Sequence, residues 1–130
     1  QHNDKIIKRF STLKPGQTSK DLPKEYQTKK IVLKRLSPDT PARTITTMPD
    51  DYVHYKKNRS LSVREMARLQ SFPDTFIVKG KRTTGGKRRR VEVPQYSQIG
   101  NAVPPLLAEK VGKHLILCLE VHNDKLKKKN

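Results

Sequence analysis

Apolar residues are unevenly spaced along this chain of 130 residues, and their spacing divides it. Over residues 1–28 they are sparse, Pro15-Gly16 marks a turn and Leu22-Pro23 interrupts any helix, which predicts a loosely held polar arm. From Lys29 the pattern tightens. KKIVLKRL (Lys29 to Leu36) is rich in β-branched and aliphatic residues and stops at Ser37-Pro38-Asp39, so it reads as a strand. ARTITTM (Ala42 to Met48) sets Ile45 among small and threonine side chains at strand spacing, and ends at Pro49-Asp50-Asp51. The two segments predict a hairpin.

SLSVREMARLQSF (Ser60 to Phe72) changes period. Ser62 and Glu65 have the spacing of a capping box, in which hydroxyl and carboxylate each satisfy an orphan backbone donor. Val63, Met66, Leu69 and Gln70 share one stripe, and Arg64 and Arg68 lie on another face. Pro73 ends this helix by forcing Phe72 out of helical torsions. At roughly two and a half turns it needs tertiary packing to persist, with Phe72 and Phe76 as the expected anchors. Farther on, QYSQIGNAVPPLLAEKV (Gln95 to Val111) ends a polar run in Gly-Asn, crosses two prolines and becomes an apolar helix predicted over 104–121. Leu107, Val111, Leu115 and Cys118 recur along it at intervals of four, four and three. Lys125 to Lys129 read as a frayed basic tail.

Composition changes the picture in two ways. Only 32% of residues are hydrophobic, 32% are charged and Trp is absent, a thin core for one domain that implies reliance on a partner surface. Lys and Arg number 29 against 12 Asp and Glu, a formal charge of +17, which favours a polyanion and makes nucleic acid the leading partner ahead of an acidic membrane surface. The excess concentrates in KGKRTTGGKRRRVEVP (Lys79 to Pro94), where no acid appears before Glu92. Two readings of this segment stand: a solvated loop, or a phosphate-contacting one in which Lys87, Arg88, Arg89 and Arg90 position a duplex while Arg82, Thr83 and Thr84 reach base edges.

Other chemistry is scarce. The single cysteine, Cys118, permits no internal disulfide, and with scattered His54, His114 and His122 it offers no metal-ligand spacing, so no metal site is expected. Set in the apolar run LILCLE, it reads as a buried packing residue. There is no stretch of about 18 apolar residues and no signal-peptide core at the N-terminus. A cytoplasmic location without membrane contact is expected.

RSLSVREMARLQSFPDTF (Arg59 to Phe76) followed by QYSQIGNAVPPLLAEKV resembles the ninth and tenth conserved blocks of the DNA (cytosine-5)-methyltransferases, and KRLSPDTPARTIT (Lys34 to Thr46) looks like the end of the target-recognition region that precedes them. The likeness covers about residues 34 to 118. It implies transfer of methyl from S-adenosylmethionine to carbon 5 of a cytosine flipped out of duplex DNA. It also implies that the Gly-Asn-Ala-Val turn borders the cofactor, which carries Asn101, Ala102 and Val103 over as cofactor-proximal. Gly100 would then allow the close turn, and Asn101 would supply both donor and acceptors. The local sequence also permits a plainer reading in which Gly100-Asn101 only links two helices. Arg64 is expected to bind neighbouring backbone or acids, unless it is simply solvated.

The family's Pro-Cys and Glu-Asn-Val motifs do not occur in this chain. The resemblance therefore implies the C-terminal part of such an enzyme, inactive alone, as a small subunit or a piece of a longer chain. The expected fold is α+β: an arm (1–28), a β-rich recognition part with a capped short helix (29–80), a basic loop (81–94), a closing segment and helix (95–121) and a basic tail (122–130). The closing helix is expected to dock on a separate α/β cofactor domain or large subunit. The alternative is a non-catalytic DNA-binding module or regulator derived from the same family.

Overall fold

The computed structural model describes residues 3–28, 32–84, 88 and 91–127, with side chains as far as 122. The described order is helix α1 (Asp4–Thr12), strand β1 (Lys34–Arg35), strand β2 (Tyr52–Val53), helix α2 (Val63–Leu69), helix α3 (Gln95–Asn101) and helix α4 (Pro105–Lys127).

The expected arm is folded. Asn3 caps α1 by accepting from the Ile6 N–H, and Ile6, Phe10 and Leu13 form a stripe at helical spacing between the lysines. Phe10, Leu13 and Leu22 are buried with Leu33 and Val53 in one apolar cluster. Sparse apolar residues sufficed because nearly all of them face inward.

Among the described residues the expected hairpin does not form. β1 is confined to two residues and pairs in parallel with β2, Lys34 opposite Tyr52 and Arg35 opposite Val53. Lys29 to Ile31 lie outside the described residues, and 42–48 carries no strand ladder. Side chains hold it instead: the Tyr52 hydroxyl donates to Thr44 O at 2.7 Å, Thr46 Oγ1 donates to Asp51 at 2.7 Å, and Ile45 is buried. Where a β-rich part was expected, two strands of two residues each are described.

Consecutive strand residues face opposite sides, so β2 serves two interiors. Val53 belongs to the N-terminal cluster, while Tyr52 joins Ile45, Leu61, Met66, Ala67, Tyr96 and Ile99 in a second. This second interior is built on α2 and α3. The capping box of α2 is present, with Ser62 and Glu65 bonded reciprocally, and Arg59 closes it by a two-pronged bond to Glu65, 2.7 Å on each prong. Phe72 packs on this core, whereas Phe76 is exposed and its ring lies against Phe72, ring centres 4.9 Å apart. Leu69, expected on the buried stripe, is also exposed.

α4 has no such interior. Leu106, Leu107, Val111, Leu115, Ile116, Leu117, Leu119 and Val121 are all more than half exposed. Cys118, expected to be buried, is exposed for the same reason: no other described element covers this helix. Its helical course passes the expected end at 121 and continues through Lys127.

Candidate functional site

The corner between α3 and α4 is clamped from α2 by two residues to which the sequence reading assigned no such role. Gln70, the C-cap of α2, is buried, and its Nε2 donates to Ile99 O at 2.5 Å and, more loosely, to Ala102 O at 3.4 Å. Ser71 has φ of 61°, a left-handed conformation that an L residue adopts at a cost. Its Oγ accepts the Leu106 N–H at 3.1 Å, so a side chain 35 positions away caps the first turn of α4. Their one mark in the sequence is their place at the helix stop before Phe72-Pro73.

Gly100 also has a different task from the expected one. It sits inside α3 and not in a turn, and a Cβ there would lie 2.5 Å from Thr46 O and 2.8 Å from Thr47 Cα. The missing side chain lets α3 lie directly on the 46–47 backbone. The polar residues of α3 are used in the same way. Gln95 Nε2 donates to Val78 O and Gly80 O at 2.8 and 2.9 Å, Gln98 Nε2 to Lys79 O and Val93 O at 3.1 and 3.0 Å, and the Tyr96 hydroxyl to Leu61 O at 2.7 Å. Burial pushes the Tyr96 phenol pKa up, which keeps it a donor.

With its inner side held, the corner turns Asn101 and Val103 to solvent, with Ala102 half-buried between them. An exposed amide beside two small apolar side chains can hydrogen-bond a carboxylate or amine and cover an apolar edge.

The candidate DNA residues are only partly described. Lys87, Arg89 and Arg90 lie outside the described residues, and Arg88 is exposed. Arg82 and Thr83 are exposed and Thr84 is half-buried, its Oγ1 donating to Glu92 O at 3.2 Å. These three line a small cavity of about 130 Å³ together with Met48, Pro49 and Tyr96. The segment is tied down beside it by Lys81 against Glu92 at 3.1 Å and by Gln95 N–H to Lys81 O at 2.9 Å.

Arg64 and Arg68 are engaged within the chain, although Arg64 lines a pocket together with Arg82, Gln95 and Tyr96. Arg64 donates to Pro73 O at 3.2 Å and Phe76 O at 2.7 Å, as expected of a residue bound to neighbouring backbone. Arg68 pairs with Asp74 through two bonds of 2.8 and 2.7 Å. The arginine of the capping region holds the Glu65 carboxyl at a pKa of about 2, well below the usual value. Among the described residues no group of three or more His, Cys, Asp or Glu is placed to hold a metal, and no helix is long and apolar enough to cross a membrane.

Comparison with known proteins bears on the same segments. The chain is 36% identical over 129 residues to the type II methyltransferase M.DdeI of Desulfomicrobium norvegicum, covering 88% of this chain and 31% of that protein. It is 33% identical over 120 residues to M1.HphI of Haemophilus parahaemolyticus, covering 88% of this chain and 29% of the relative. A third relative, M.AquIB of Picosynechococcus sp., is 44% identical over 82 residues, which make up 62% of this chain and 59% of that shorter protein. The chain thus spans less than a third of the first two relatives' length. No solved structure matches it. The model of the C-5 cytosine-specific DNA methylases matches residues 2–117, nearly the whole of the described fold, and the chain belongs to that family.

Proposed function

We propose that this chain is the C-terminal part, or the small subunit, of a DNA (cytosine-5)-methyltransferase. Its share is to hold duplex DNA and to complete one wall of the S-adenosylmethionine site. The observation that carries this reading is α4. A helix of 23 residues starts from a braced corner and then exposes leucine, isoleucine and valine along its length. Apolar surface of this extent seeks cover, and the part of the relatives that this chain does not span is the natural source of that cover. On this reading α4 docks on the catalytic part, an α/β domain or large subunit, and docking brings Asn101, Ala102 and Val103 against the cofactor. That M.AquIB is itself short favours a two-chain enzyme.

When bound, S-adenosylmethionine supplies an activated methyl group. This chain's residues do the holding: the Asn101 amide bonds a polar end of the cofactor, while Ala102 and Val103 close an apolar edge. Arg82, Thr83 and Thr84 face base edges, and Lys87, Arg88, Arg89 and Arg90 neutralise phosphates. The nucleophilic cysteine and the base-holding carboxylate come from the other part, so the chain alone transfers no methyl group. A type II methyltransferase of this kind protects DNA in a restriction-modification system.

The test is reconstitution. Mixing the chain with a family catalytic half carrying the Pro-Cys and Glu-Asn-Val motifs is expected to give methyl transfer to cytosine C5 that neither half gives alone. Persistent inactivity with matched halves would favour a non-catalytic DNA-binding module. Alanine at Arg88, Arg89 and Arg90 should reduce the slope of log affinity against log salt in the assembled enzyme by about one per lost contact.

A further inference from the structure

The loop from His54 to Arg59 is built with more internal support than a surface turn needs. Arg35 lies beneath it, 5% exposed. Its Nη1 donates to His54 O and Tyr55 O, each at 3.2 Å, and its Nη2 to Asn58 Oδ1 at 2.5 Å and to Phe10 O at 2.7 Å. No carboxylate pairs with this guanidinium among the described residues, and its buried Nε has no partner. Burying such a charge against neutral acceptors costs stability. From above, His54 Nδ1 accepts the N–H groups of Lys56 and Lys57 at 3.0 and 3.1 Å, and the ring stacks on Tyr55 with centroids 4.7 Å apart. The His54 N–H closes the loop on Arg59 O at 2.9 Å.

This scaffold presents Tyr55, Lys56 and Lys57 to solvent. Glu65, the nearby acid, is engaged by Arg59, and neither lysine has an ion-pair partner among the described residues. The far end of the loop reaches the candidate DNA residues. Asn58, Arg59 and Ser60 line an open cleft of about 790 Å³ together with Arg82, Tyr96 and the acid Asp4.

We infer that the Tyr55–Lys57 segment is a preformed second contact for the DNA backbone, separate from the 81–94 loop, in which both ammonium groups and the Tyr55 hydroxyl bind phosphate oxygens. The inference rests on the DNA-binding reading above and extends it to residues which that reading does not use. Ordering a flexible loop on binding costs backbone entropy at every residue that is fixed. Here the loop is already ordered, so its phosphate contacts carry little of that cost.

The chain itself provides the test, by fluorescence anisotropy with a labelled duplex across a range of salt concentrations. Replacing both lysines (Lys56→Gln with Lys57→Gln) should lower the slope of log affinity against log salt by about two, since each phosphate contact contributes about 0.9. The melting temperature should not change, because neither lysine side chain holds the fold. A matched control, Lys20→Gln with Lys24→Gln, removes the same charge from another exposed turn and should leave the slope nearly as it was. Equal slopes for the two double variants overturn the inference, as does a wild-type chain with no affinity for duplex. Failed methyl transfer in the reconstitution would instead count against the catalytic reading, and leaves the salt slopes free to decide this one.

Discussion

Helices α3 and α4 follow one another after a three-residue corner, yet they relate to their surroundings in opposite ways. α3 is seven residues long, too short to persist alone, and exists because Tyr96, Ser97 and Ile99 are buried and its glutamines bond passing backbone. α4 is more than three times as long, holds its own hydrogen bonds, and buries almost nothing. A buried leucine or isoleucine side chain is worth about 1.5–3 kcal/mol, so α4 leaves a large stabilisation unrealised that α3 has already used. One helix finishes a fold within this chain, and the other is shaped for a fold completed elsewhere.

The sharpest way to break the α3 side is Gly100→Ala. Its methyl would meet backbone, which has no rotamer by which to yield, so α3 must lift from 46–47. We expect a loss near the upper end of overpacking penalties, about 3 kcal/mol, seen as a lower urea midpoint. A midpoint equal to that of the wild type would mean that α3 does not lie on Thr46. Gln70→Leu comes next. It keeps side-chain bulk but strands Ile99 O and loosens Ala102 O, and should cost about 2 kcal/mol. It should also speed amide exchange at Leu106, since the Ser71 cap depends on the same stretch of backbone. Unchanged exchange there would separate the two clamps.

Acid titration tests how the α2–α3 unit is fastened at its other end. Glu65 ionises at about 2 in the fold against about 4.5 unfolded, so its contribution is complete above pH 4.5 and disappears as pH falls through 2. The upper limit is about 3 kcal/mol, reduced because the Arg59 pair is partly wetted. His54 acts in the same direction at higher pH. Burial, with Arg59 next in size, lowers its pKa below the usual 6.5, so its stabilising share is present above 6.5 and lost as pH falls. Stability should therefore decline first as His54 titrates and again in the acid range, where the Asp21 and Asp74 carboxyls are also held below their ordinary values, and Glu65→Gln should shrink only the acid step. An acid step of unaltered size in that variant would show that Glu65 does not contribute to it.

How much of this was legible follows from the reach of each interaction. The Ser62–Glu65 box acts within a few residues and appears where the sequence puts it, whereas α2 stops at Leu69, short of the expected Pro73 stop, because Gln70 caps it and Ser71 turns left-handed. The 42–48 segment looked like a strand because Ile45 alternates with threonines, but its partners are Tyr52 and Asp51 side chains, which no period encodes. Gln70 and Ser71 act across some thirty residues, so nothing local distinguishes them from an ordinary helix end. Cys118 failed for another reason. The apolar run LILCLE carries the signature of burial whether the covering surface lies in this chain or in a different one.

Gly112 brings the comparison to its finest point. It is a second glycine inside a helix, but a Cβ there would meet nothing within 4 Å, so the close approach that explains Gly100 is absent. Glycine within a helix costs about 1 kcal/mol relative to alanine, and in the chain alone that cost has no return. Gly112→Ala should therefore raise the ellipticity of the isolated chain and slow amide exchange in α4 by an amount near that figure. Set beside Val111 and Leu115, the glycine makes a notch in apolar surface, the shape left where another backbone passes close. If α4 docks on a catalytic half, the same substitution should weaken assembly about tenfold, the equivalent of about 1.4 kcal/mol, while still stabilising the free helix. Should it strengthen both, the docking surface lies on the opposite side of α4, and the notch is only a flaw in the helix.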